Sequence, residues 1–83
     1  MNDAPIRAEL TLPLGDNAEA VESALLPEVD RGPVDRAQTT VYRDGGELRL
    51  EFKALDVVAL RAAVNTWLRL TNVADRILKY GQE

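Results

Sequence analysis

The chain contains no cysteine and no histidine. Without cysteine, disulfides and thiolate metal sites are excluded, and without histidine the usual general base and the commonest metal ligand are missing. No apolar run approaches the roughly 20 residues that span a bilayer, and the N-terminus has neither the basic nor the apolar region of a signal peptide. We therefore expect a cytoplasmic protein that is not an enzyme and uses no metal, cofactor or membrane.

Basic residues are in the minority, since 10 Lys and Arg oppose 14 Asp and Glu and give a net charge of −4. This balance argues against independent, tight nucleic-acid binding, which usually accompanies a basic patch. Residues 56–83 are the exception, because bases outnumber acids there. The length of 83 residues, 46% of them hydrophobic, indicates one globular domain over residues 1–83 with a core at about 6–80.

Alternation of apolar and polar residues predicts three strands. The first covers residues 6–14, and Pro13 either ends it or places it at a sheet edge because proline cannot donate to the ladder. The other two, at residues 37–43 and 48–54, flank Asp44-Gly45-Gly46, which is typical of a hairpin turn.

Two helices are predicted between and after these strands. Asp16 and Glu19 form a capping-box pattern, and Pro27 predicts that the first helix ends near Leu26. Asp56 is the expected cap of a longer second helix. One apolar stripe on that helix is expected to face the core, with Trp67 as its anchor. Its members are Leu60, Ala63, Val64, Trp67, Leu70, Ala74, Ile77 and Leu78.

The predicted fold class is α+β, in the order β-α-β-β-α, with a three-stranded, largely antiparallel sheet and both helices on one face. The last helix outruns such a narrow sheet, and the sheet edges need cover. A homodimer that extends the sheet from one copy into the other would remove one edge and support the helices.

The sides and back of the last helix carry Arg61, Asn65, Arg69 and Arg76, with Leu68 on its flank. A solvated face explains such residues well. Apolar residues mixed with arginine, however, are also a common interface composition. No group of catalytic residues is recognisable in the sequence.

Several segments together resemble a known family. They are Leu25-Leu26-Pro27-Glu28, the Thr39-Thr40 strand, the Asp-Gly-Gly hairpin, and residues 54–69, where Leu60-Arg61 is followed by Asn65 and Trp67-Leu68. Over about residues 6–80 the chain is similar to the archaeal Pcc subunit of the KEOPS complex and its eukaryotic CTAG/LAGE-like branch.

The resemblance implies a non-enzymatic homodimer, joined along a sheet edge, whose helices hold the Kae-type catalytic subunit of KEOPS. That subunit transfers threonylcarbamoyl to the adenosine next to the anticodon, so tRNA is a partner within the assembled complex. The implied partner-binding residues are Arg61, Asn65, Leu68 and Arg69, with Leu26 and Pro27 as weaker candidates. Arg61, Arg76 and Lys79 are the candidate RNA contacts.

Alternatives remain at this point. Thr71-Asn72 and the short tail 79–83 depart from the family pattern, so a regulatory paralogue in the same position is one of them. Another is a free-standing RNA-binding module, although the GxxG loop and surface aromatics of such modules are missing. A small-ligand domain would need a polar pocket, for which no residues are evident.

Overall fold

Three strands and two helices follow one another in the order β-α-β-β-α, which confirms the predicted fold class. The computed structural model describes residues 6–31 and 36–80, with the backbone alone at 30, 31 and 80. The elements are β1 (Ile6–Pro13), a 3-10 turn (Gly15–Asn17), α1 (Ala18–Arg31), β2 (Ala37–Asp44), β3 (Glu47–Ala54) and α2 (Val57–Tyr80). The expected Gly32-Pro33 connection and the tail after Tyr80 lie outside the described residues.

The three strands form one antiparallel sheet in the order β1-β3-β2. Ala54 at the end of β3 pairs with Ile6 of β1 on one side and with Ala37 of β2 on the other. A tight turn joins β2 to β3, and its Gly45 has a φ of 62°, which glycine adopts without steric cost. β3 is therefore the central strand, and β1 and β2 are the edges.

The core lies between β3 and the two helices. The inward residues of β3, Leu48, Leu50 and Phe52, are fully buried together with Val21 of α1. Trp67 of α2 is 8% exposed and belongs to the same cluster, which confirms it as a core anchor. Because both helices contribute to one cluster on the inward side of the sheet, they cover a single face.

The first helix differs from its prediction at both ends. It begins after a 3-10 turn in which the Ala18 amide donates to the Gly15 carbonyl, and the capping box expected from Asp16 is not formed. It also continues through Pro27 to Arg31. Ser23, whose carbonyl loses its helical donor at Pro27, and Pro27 itself are both exposed, so water can reach the freed carbonyl.

The second helix starts as predicted. The Asp56 carboxylate accepts a hydrogen bond of 2.8 Å from the Ala59 amide, which is the contact of an N-cap. One member of the predicted core stripe is wrong, because Ile77 is 63% exposed. Thr71 is buried in its place. Thr71 lies four residues after Trp67 and three before Ala74, so helix geometry puts it mid-stripe although it is polar, while Ile77 lies at the stripe's margin.

Candidate partner-binding surface

The side of α2 that points away from the sheet is exposed along its whole length. We call it the outer face, and it combines three apolar residues with two arginines and an asparagine. Its members recur at helical spacing, and every one of them is exposed: Val58, Ala62, Asn65, Arg69, Val73 and Arg76. Val58 and Val73 are 75% and 50% exposed, respectively. The structure therefore places Asn65 and Arg69, two of the predicted contact residues, among uncovered apolar side chains.

A second exposed strip of α2 lies on the side of β1, and we call it the groove side. Leu68, Thr71, Asn72 and Asp75 line a groove of about 210 Å³ there, with Leu12 and Leu14 forming its opposite wall. Arg61 is exposed on the same side, two helical turns before Leu68. Arg61 and Leu68 are thus separated from Arg69, although sequence reasoning put the three in one group.

Two polar side chains determine the character of the groove. The Asp75 carboxylate accepts a hydrogen bond of 3.2 Å from the Asn17 side chain and pairs with Lys79 at 3.0 Å. Thr71 is 4% exposed, and its hydroxyl has no hydrogen-bond partner among the described residues. An unpartnered buried hydroxyl costs about 1–3 kcal/mol. The spacing of Asp75 and Lys79 is visible in the sequence, but the groove itself could not be found there.

The first strand is poorly covered on the side that should belong to the core. Ala8, Leu10, Leu12 and Leu14 all pack against the core cluster, yet each is only partly buried. The main neighbour of β1 is β3, whereas α1 packs mainly against β2. The β1 edge therefore combines unpaired backbone groups with half-covered apolar side chains.

The remaining predicted contact residues lie on α1. Leu26 is 45% exposed and Pro27 is exposed beside it. α1 and α2 pack against each other, so both helices present exposed residues on the helical side of the molecule. The structure gives no direct contact between Leu26 or Pro27 and the predicted residues of α2.

The opposite face of the sheet carries a polar network that sequence reasoning missed. The Tyr42 hydroxyl on β2 donates a hydrogen bond of 3.0 Å to Glu9 on β1, above the central strand. This hydrogen bond raises the pKa of Tyr42, with burial and the Glu9 charge adding to it. Arg49 pairs with Asp44 at 3.1 Å and with Glu47 at 3.2 Å, and the contact to Glu47 leads in raising the Arg49 pKa. Charges of both signs are neutralised within this face.

Two further searches concern only the part of the chain that the structure describes. It contains no group of three or more acidic, histidine or cysteine residues that could hold a metal ion. Neither of its helices has the length and hydropathy needed to cross a membrane.

Comparison with known proteins now gives the family. A family model described as "Transcription factor Pcc1" matches residues 7–79. The KEOPS complex subunit Pcc1 of Pyrococcus abyssi (strain GE5 / Orsay) is 35% identical over 69 residues, which covers 83% of this chain and 84% of the relative. The chain belongs to the Pcc1 family. The resemblance that the sequence indicated is thereby confirmed.

The Pcc1 match spans β1 to the last turn of α2, so it includes the outer face, the groove side and Leu26 with Pro27. Both candidate RNA contacts of this Pcc1-family chain near the end of α2, Arg76 and Lys79, lie on its surface. They are not equivalent, since Lys79 pairs with Asp75 whereas no ion pair of Arg76 is seen among the described residues.

Proposed function

We propose that this chain is a non-catalytic subunit of a KEOPS complex that forms a homodimer and binds the Kae-type catalytic subunit. In that position it supports threonylcarbamoyl transfer to the adenosine next to the tRNA anticodon, in the cytoplasm. The observation that carries the proposal is the match to a KEOPS complex subunit over most of both chains. The uncovered outer face of α2 agrees with a subunit whose role is to bind another protein.

The outer face is the proposed contact for the catalytic subunit. Asn65 and Arg69 supply hydrogen bonds there, while Val58 and Val73 supply apolar area that is exposed in the single chain. Arginine beside apolar residues is a favourable combination for a protein interface. Leu26 and Pro27 extend the contact onto α1.

The β1 edge is the proposed contact between the two copies. Its apolar residues remain half-covered, and its unpaired backbone groups can hydrogen-bond to a second β1. Pairing two β1 strands gives a six-stranded sheet and removes two exposed edges from the pair. The β2 edge is the weaker choice, because α1 packs mainly against β2.

The tRNA contacts of the assembled complex are the least developed part of the proposal. Arg76 and Lys79 lie on the surface near the end of α2, and Arg61 is exposed on its groove side. A net charge of −4 gives the chain little affinity for RNA by itself. RNA binding is therefore assigned to the assembly and not to the free dimer.

Size-exclusion chromatography with light scattering tests the proposal, using the chain alone and mixed with the catalytic subunit of the same source. We expect a dimer that shifts into a larger stable complex. The double variant Arg69→Glu, Val73→Glu should weaken that complex at least about tenfold, or about 1.4 kcal/mol, while the chain stays dimeric. The matched control is Arg7→Glu, which reverses an exposed charge on the opposite face of the sheet.

Two results would contradict the proposal. One is a chain that ignores the catalytic subunit, and the other is a double variant that binds as tightly as the unmodified chain. If the chain alone instead binds tRNA with an affinity that falls steeply as salt rises, the free-standing RNA-binding module is the better explanation.

A further inference from the structure

The groove side of α2 has an order of charges that is complementary to itself. Arg61 lies seven residues before Leu68, and Asp75 lies seven residues after it. Seven residues are close to two helical turns, so the three side chains lie along one side of the helix. Reversing the direction of the helix exchanges the positions of Arg61 and Asp75 and leaves Leu68 in place.

The side chains on this strip are available for a contact. Arg61 is exposed, and no ion pair of Arg61 is seen among the described residues. Asp75 already contacts Asn17 and Lys79, but a carboxylate has more acceptor positions than these two contacts occupy. Leu68 is 38% exposed at the groove, between them.

The position of the strip indicates what covers it. The groove lies between α2 and the end of β1, which is an unpaired edge strand. A two-fold axis perpendicular to the sheet that pairs two β1 edges also puts both α2 helices on the same side of the sheet. The same axis makes the two helices antiparallel, which is the arrangement that the charge order requires.

We propose that the groove side of α2 is the self-recognition surface of the homodimer, occupied by α2 of a second copy running antiparallel. Leu68 of each copy meets Leu68 of the other at the axis and fills the apolar wall formed by Leu12 and Leu14. Arg61 of each copy pairs with Asp75 of the second copy, so the contact is made twice. The inference rests on the homodimer of the proposed function and adds its helical register.

A second copy fits better than an unrelated chain for two reasons. Both charges of the pair come from this one helix, at equal distances from Leu68, and an isologous contact requires that symmetry. The Thr71 hydroxyl is also buried at the groove without a partner among the described residues, so the groove is incomplete in the single chain. The outer face stays free for the catalytic subunit in this arrangement.

A charge-exchange experiment tests the register. Arg61→Glu and Asp75→Lys are each expected to weaken the dimer at least about tenfold, because like charges then meet at both contacts. Mixing the two variants should restore a dimer. In the mixed pair the introduced glutamate of one chain faces the introduced lysine of the other, and the two unmodified side chains, Arg61 and Asp75, face each other. Arg69→Glu is the matched control, because it makes the same charge change on the outer face and should leave the dimer intact.

A second pair of variants covers the case in which Asp75→Lys fails to fold, which circular dichroism would show. Leu68→Glu and Leu68→Lys should each be monomeric alone, because two like charges meet at the axis, and should form a heterodimer when mixed. Sedimentation equilibrium measures the dissociation constants for all of these samples.

The outcomes separate this inference from the proposed function. If the unmodified chain is monomeric at every concentration, both proposals of a homodimer are wrong. If the unmodified chain is a dimer and Arg61→Glu dimerises equally well, or if neither mixture gains affinity over its single variants, the helical register is wrong while the homodimer stands.

Discussion

Tyr42 and Glu9 are a residue pair that ties together two strands that are not neighbours in the sheet. Tyr42 lies on β2 and Glu9 on β1, and their hydrogen bond passes above β3. The neutral phenol can donate to the carboxylate, whereas an ionised phenolate would face a like charge. The Tyr42 pKa is therefore raised above 10.0. The contribution to stability is fully present below pH 10 and is lost as the pH rises through the higher pKa of the folded chain.

This pair gives a test by pH titration of tyrosinate absorbance. A Tyr80→Phe background leaves Tyr42 as the one tyrosine, since the chain has 2. We expect its pKa to lie above 10.0, the ordinary value, and Glu9→Ala to move that pKa down. Asp16→Ala, which removes an exposed carboxylate elsewhere, should leave the titration unchanged. A titration that Glu9→Ala does not move would rule out the hydrogen bond as its main cause.

The element that organises this surface is α2, and its start is fixed by a local contact. The Asp56 side chain accepts from the Ala59 amide, and the Asp56 carbonyl accepts from the Leu60 amide at 3.0 Å. Asp56 also forms an ion pair with Arg36, which is 62% exposed and therefore contributes little. The cap determines where the helix begins, and so which of its residues lie on the outer face and which on the groove side.

Removal of the cap should lower the free energy of unfolding. We expect Asp56→Ala to destabilise the chain by about 1 kcal/mol, the usual cost of losing an N-cap. Asp56→Asn is the matched control, because its amide oxygen can still accept from Ala59 although the charge is gone. Urea denaturation measures both variants. Equal losses in the two would assign the effect to the ion pair with Arg36 and contradict the capping role.

At the scale of the whole molecule, the single chain is long and narrow, with extents of 44 × 21 × 19 Å. A chain of this size buries only about 60% of the surface that it exposes when unfolded, so its own core is marginal. Leu68 and the apolar residues of β1 remain partly uncovered on one side. A second copy would cover them, which couples folding to association.

This coupling predicts that the melting temperature depends on protein concentration. Association stabilises the folded chain by about 2.7 kcal/mol at a partner concentration about 100 times the dissociation constant. We therefore expect thermal unfolding, followed by circular dichroism, to shift to higher temperature as concentration rises. Leu68→Glu should melt lower and without this dependence. A melting temperature that stays constant on about hundredfold dilution would contradict the coupling.

The sequence by itself determined the elements and their order, because the signals for these are local. Alternation along β1 and β3, the glycine turn after Asp44 and the Asp56 cap each depend on residues a few positions apart. The exposed residues of the outer face also followed from helical spacing alone. The capping box at Asp16 and the helix end before Pro27 were wrong, because a 3-10 turn starts α1 and an exposed carbonyl tolerates the proline.

Only the tertiary structure decided which strand is central, which edge is left half-covered and where a groove opens. These features depend on contacts between residues far apart in the chain, such as Leu12 and Leu14 with Leu68, and no local pattern specifies such contacts. The same holds for Thr71 and Ile77. Periodicity placed the apolar stripe correctly, but the packing of α2 on the sheet decided that the polar residue is buried and the apolar one is exposed.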